Sequence, residues 1–304
     1  MNSLEEKYNL IEQTPMERLL DNPTANNLKD IPKSAQTIEL LMKVCEKDGY
    51  ALRYASKRLI TPHLCEVAVN QNGEALEYVP DRVFENVVNY GRDEDWAIKL
   101  FKSALKTDGR ALRFIPKELI DEDMASQAIK VASDKDYTWD QYPIAFVPKK
   151  LRTHEINVLS VTCSPFSIKD ISDMRKDYAE LAQIAVNKNG TTIKYISKRY
   201  LSKDLYISAV NNNPMAIKFV PQEYITEEMS KKCFEENYET FPFIPLKFIT
   251  ESMCISLVKE KHFSVFREFF LFTLLSGDNS VEKKREPMVF NQFPNAMRNS
   301  RKVI

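Results

Sequence analysis

The sequence predicts an all-α protein: an α-solenoid of about nine tandem copies of a ~24-residue repeat, with capping helices at both ends. Two observations carry this. A short template recurs along the chain, and after each recurrence apolar residues fall at helical spacing.

The template is seen in GYALRYASKRLIT from Gly49, GEALEYVPDRVFE from Gly73, GRALRFIPKELID from Gly109, GTTIKYISKRYLS from Gly190 and PMAIKFVPQEYIT from Pro214. Counted from its first residue as zero, position +3 is Leu52, Leu76, Leu112, Ile193 or Ile217, and position +5 is Tyr54, Tyr78, Phe114, Tyr195 or Phe219. Position +7 is Pro or Ser, and position +12 is Thr61, Glu85, Asp121, Ser202 or Thr226, of which all but Glu85 are preferred helix N-caps. Weaker copies start at Ala25, Gln141, Pro165 and Tyr238. The starts 25, 49, 73, 109, 141, 165, 190, 214 and 238 keep a near-constant step except after 73 and 109, where two insertions interrupt it.

Each element has a local cause. The A-L-x-Y-V stretch is long enough for one or two helical turns and is stopped by the proline, which lacks an amide donor and disfavours helix at the residue before it. After the cap, residues at +15 (Leu64, Met124, Leu205, Met229, Met253), +19 (Ala68, Ala128, Ala209, Cys233, Leu257) and +20 (Val69, Ile129, Val210, Phe234, Val258) predict a longer helix with one buried face. Gly49, Gly73, Gly109 and Gly190, four of the six glycines, are expected to close those helices in a left-handed conformation. The +5 aromatics and the +6 Val or Ile are expected to form core ladders between stacked copies, since helices this short need a partner.

The division that follows is an N-terminal cap helix over 1–24, an array over 25–261 with insertions near 84–107 and 131–142, a C-terminal cap helix over 262–277 and a flexible tail over 278–304. The first insertion carries Trp96, Leu100, Phe101, Ala104 and Leu105 at helical spacing, so a longer helix is expected there, and a loop in the second.

"NGEALEYVPDRV" at 72–83 and "DGRALRFIPKEL" at 108–119, each followed by a capped helix, resemble the short helical repeat of bacteria and large DNA viruses catalogued as domain of unknown function four-one-one-six. The resemblance covers roughly 25–260. It implies a repeat scaffold and brings no activity.

For function, 43 Lys+Arg balance 43 Asp+Glu, so the chain as a whole lacks the basic signature of a nucleic-acid binder. No stretch approaches a membrane span and the start is unlike a signal peptide; a cytoplasmic protein is expected. The five cysteines form no C-x-x-C pair and read as buried free thiols. His63, His154 and His262 lie in different copies, away from metal-ligand spacing, so no metal, no cofactor and no enzymatic activity are expected. Glu122, Asp123, Glu227, Glu228 and Glu251 fall in first helical turns, where they complement the macrodipole.

A non-catalytic scaffold binding a protein or peptide partner is the favoured reading. The candidate docking face is Phe266, Phe269, Phe270 and Phe272 in the aromatic C-terminal run. The alternative is nucleic-acid binding along two basic stripes: Arg53, Arg113, Lys194 and Lys218 at +4, and Arg58, Arg82, Lys150 and Arg199 at +9. Glu77, Glu118 and Glu223 interrupt them. An enzyme with an unrecognised site, for which His154, Tyr142 and Asp140 would have to converge, is the third reading.

Overall fold

The computed structural model describes residues 14–81, 83, 94–132 and 142–259, and all regular structure among them is helical. The chain divides into two compact units between Ile171 and Ser172.

In the first unit the α-helices are α1 Pro15–Asp21, α2 Ala25–Lys29, α3 Ile38–Lys47, α4 Pro62–Gln71, α5 Glu94–Thr107, α6 Glu122–Ala132 and α7 His154–Cys163. The second contains α8 Tyr178–Lys188, α9 Lys203–Asn212, α10 Glu227–Glu236 and α11 Glu251–Lys259. Between the longer helices lie tight 3-10 helices, including Gly49–Tyr54, Gly73–Tyr78, Gly109–Phe114, Pro165–Asp170, Gly190–Tyr195, Pro214–Phe219 and Tyr238–Phe243. At three residues per turn, six residues make the two turns that the spacing before proline permits.

Two rows result in the first unit. Helices α3 to α7 pack each on the next, and α2 and the 3-10 helices at 49–54, 73–78, 109–114, 143–145 and 165–170 do likewise. Within the second unit, α8 to α10 and the 3-10 helices at 190–195, 214–219 and 238–243 repeat the arrangement. The expected caps form: Thr61, Asp121, Ser202 and Thr226 accept the amides of Leu64, Met124, Leu205 and Met229 at 3.3, 2.7, 3.2 and 3.2 Å.

Helix α5 holds the place of its copy's long helix, packed between α4 and α6. Shifted by the extra dozen residues of this copy, Leu100, Ala104 and Leu105 fall on the buried positions +15, +19 and +20. The core is made of those three positions together with +3 and +6, represented by Leu112 and Ile115, each side chain contributing about 1.5–3 kcal/mol on full burial.

Two expectations are corrected. None of the four junction glycines is left-handed; a Cβ at Gly49, Gly73, Gly109 or Gly190 would instead collide with the carbonyl oxygen of Ala68, Ala104, Ala128 or Ala209. They are glycines because two backbones touch there. The helix before them is closed by an extended Asp or Asn: Asp48, Asn72, Asp108, Asn189, Asn213 and Asn237 accept the amide two residues on at 2.9–3.1 Å. The +5 aromatics are not core. Tyr54, Tyr78, Phe114 and Phe219 are half-buried and Tyr195 is 38% exposed, while the +6 residues beside them are buried.

An amide clamp holds two of the junctions. Gln71 Oε1 accepts Gly49 N–H at 2.6 Å while its Nε2 donates to Lys47 O at 3.0 Å. Asn212 does the same with Gly190 N–H at 2.7 Å and Asn187 O at 2.7 Å. Pro214 has no N–H, and the corresponding residue there is Glu236.

Candidate functional site

The basic residues at +4 sit at the ends of the six-residue 3-10 helices, one position before the half-buried ring, so each cation lies over an aromatic face. Arg53 lies 5.7 Å from the Tyr54 centroid and 5.8 Å from that of Tyr78. Arg113 stands 4.6 Å over Phe114. In the second unit Lys194 is 4.6 Å from Tyr195 and 5.8 Å from Phe219, which Lys218 also covers at 5.0 Å. Because the 3-10 helices pack in sequence within each unit, these cations and rings lie side by side, each desolvating part of the other while the charged heads stay exposed.

The stripes are not uniform. Arg53 and Arg113 are separated by the copy that carries Glu77. Arg113 also pairs inward with Glu74 at 3.1 Å. At +9, Arg58 and Lys150 are exposed, and Arg199 pairs with Asp173 at 3.3 Å and lies 5.0 Å over Tyr200. Arg82 and the docking residues Phe266, Phe269, Phe270 and Phe272 lie outside the described residues. So do Asp140, most of the 1–24 segment and the 278–304 tail.

Sequence reasoning missed one cluster. Glu74, 5% exposed, takes Arg110 on Oε2 and Arg113 on Oε1, both at 3.1 Å, and accepts the Tyr50 hydroxyl. Arg110 forks onto Asp108 at 2.8 Å. Two carboxylates and two guanidiniums thus balance, and burial with the Glu74 hydrogen bond pushes the Tyr50 hydroxyl up to about 12. Such a set locks three copies together. Its only trace in the sequence is the series Tyr50, Glu74, Arg110 at +1, where residue type changes from copy to copy.

The thiols are free. Burial pushes Cys45 and Cys233 up to about 12 and Cys254 up to about 11, so they stay protonated at neutral pH. His63 meets Glu66 at 3.5 Å on the surface, and His154 opens α7. Among the described residues no three His, Cys, Asp or Glu are grouped to hold a metal ion, and no helix is long and apolar enough to cross a membrane.

No curated protein and no solved structure matches the chain. The family resemblance read from the repeats holds over part of the array: residues 37–84, which contain the copy at 49 and half of the copy on either side of it, match the family model described as Domain of unknown function (DUF4116).

Proposed function

We propose that the chain is a non-catalytic, cytoplasmic adaptor, an α-solenoid whose repeated 3-10 face binds a protein or peptide partner. The observation that carries this reading is the alternation of half-buried rings and exposed cations along the packed 3-10 helices. The ring recurs at Tyr54, Tyr78, Phe114 and Phe146 in the first unit and at Tyr195, Phe219 and Phe243 in the second, so each unit offers repeated contacts, the mode of recognition natural to repeat arrays. The buried polar groups support the reading from the other side. Caps, Asx turns, amide clamps and the Glu74 cluster all join helices to each other and are used up in the fold.

Nucleic acid is the less favoured occupant, because the rings that would stack on bases are already covered by the chain's own cations. The test is affinity capture with the full chain from its native host, with and without nuclease treatment, read by mass spectrometry. A protein retained after nuclease treatment is expected; recovery of nucleic acid alone overturns the reading.

A further inference from the structure

The zero net charge conceals a strong division. If the described residues of each copy from Ala25 to Lys259 are split after the copy's first twelve positions, the leading parts, which contain the 3-10 helices, hold 19 Lys+Arg against 9 Asp+Glu; the remainders, which contain the α-helices, hold 11 against 19. Within each unit the 3-10 helices are therefore the basic part and the α-helices the acidic part. A field of this kind steers an anionic partner to the 3-10 helices of a unit.

Within the first unit the basic side has a pattern. The copy at 49 exposes Arg53 and Arg58, the copy at 109 exposes Arg113 and Lys117 with Glu118 beside them, and the copy at 141 exposes Lys149 and Lys150. Between the first two stands the copy at 73, which exposes Glu77 and Asp81 instead. Of the six cations only Arg113 is engaged by a carboxylate among the described residues.

We propose that this face binds an extended, predominantly acidic polypeptide segment that carries a basic pair opposite Glu77 and Asp81. The proposal rests on the adaptor reading above and specifies its partner. Packed helices stand about 8–10 Å apart, and an extended chain advances about 3.3 Å per residue. Each copy therefore faces about three residues of the partner. The recognised order is acidic, basic, acidic, acidic at three-residue steps. A phosphate backbone, uniformly negative, meets repulsion at the copy of Glu77; a mixed-charge peptide does not.

The test is fluorescence anisotropy of the full chain with the labelled peptide EESKKSEESEE, its reversed sequence, a scrambled peptide of the same composition, an all-acidic peptide and single-stranded poly-U. One of the two patterned peptides is expected to bind on the order of tenfold tighter than the scrambled one, with affinity falling as salt rises. The Lys149→Glu/Lys150→Glu variant is expected to lose that preference with an unchanged circular dichroism spectrum. Glu77→Lys/Asp81→Lys is expected to shift it to the all-acidic peptide. Equal binding of patterned and scrambled peptides, no binding, or tighter binding of poly-U overturns the proposal. So does salt-sensitive oligomerisation of the chain alone in sedimentation, which assigns the basic face to the acidic side of a second copy. A native partner captured equally by wild type and Lys149→Glu/Lys150→Glu removes this face while leaving the adaptor reading intact.

Discussion

Gly109 lies against the main-chain carbonyl of Ala128 so closely that a methyl group between them would displace one of the two backbones. The usual gain from replacing glycine in a well-ordered chain is thus reversed at this site. Gly109→Ala and Gly190→Ala are each expected to destabilise their unit by about 1–3 kcal/mol, the cost of overpacking. Urea unfolding followed by circular dichroism measures it, and an unchanged or raised midpoint contradicts the close approach.

The Asx turns predict a graded series. Asn189→Ala removes the acceptor of the part-buried Thr191 amide and is expected to cost about 1 kcal/mol, and Asp48→Ala, which also strands the Ala25 amide, is expected to cost more. Ser164 stands at the equivalent place without a side-chain cap bond, so Ser164→Ala is expected to be close to neutral. Equal losses at all three positions would remove the turn from the account.

The amide clamp makes a sharper contrast. Gln71→Ala and Asn212→Ala strand the Gly49 and Gly190 amides, a loss of about 1–3 kcal/mol each. Glu236→Ala strands nothing, because Pro214 brings no donor, and is expected to stay within about 0.5 kcal/mol of wild type. Chemical denaturation of the three variants side by side reads the difference.

At the buried cluster, Glu74→Ala leaves two guanidiniums short of a partner and is expected to cost about 3–5 kcal/mol, whereas Glu74→Met/Arg110→Met is expected to lose less than Glu74→Ala alone. A double variant weaker than the single one would mean that the charges stabilise beyond satisfying each other.

Alkaline pH probes the buried protons. Cys45, Cys233 and Tyr50 are pushed up to about 12 and Cys254 to about 11, above their ordinary values near 9 for thiols and 10 for the phenol. In the unfolded chain these groups lose their protons first, so the contribution is whole below pH 9 and is lost as pH climbs toward 12. The thermal midpoint is expected to fall across that range, and Tyr50→Phe to flatten the part above pH 10.

What could be read from the sequence was what recurs. Leu112, Ile115, Thr226 and Ala209 repeat at fixed positions because each solves a problem local to its copy, burial or capping. The Asp or Asn before each junction recurred equally, but its role depends on the extended conformation of that residue, which spacing alone does not reveal. The rings at +5 read as core because an aromatic two residues after Leu and next to Val or Ile resembles a buried side chain, and only the structure brings Arg53 over Tyr78. Glu74 and Arg110 were invisible for the opposite reason: their contact joins unlike residues from adjacent copies. The basic stripes were legible as rows; their opposition to an acidic α-helical side emerges only when each copy is divided at its cap.

The clamps formed by Gln71 and Asn212 have a bearing on how such a chain changes over generations. Each fastens a helix to its immediate neighbour and to nothing farther along. A tandem duplication of the copy at 49 or at 190 brings its own clamp to the new seam, whereas an insertion of any other length between Gly49 and Gln71, or between Gly190 and Asn212, moves one partner of the clamp out of reach. Inheritance can lengthen or shorten the protein in whole steps without redesigning it, and each step adds or removes one station for a ligand on the 3-10 side.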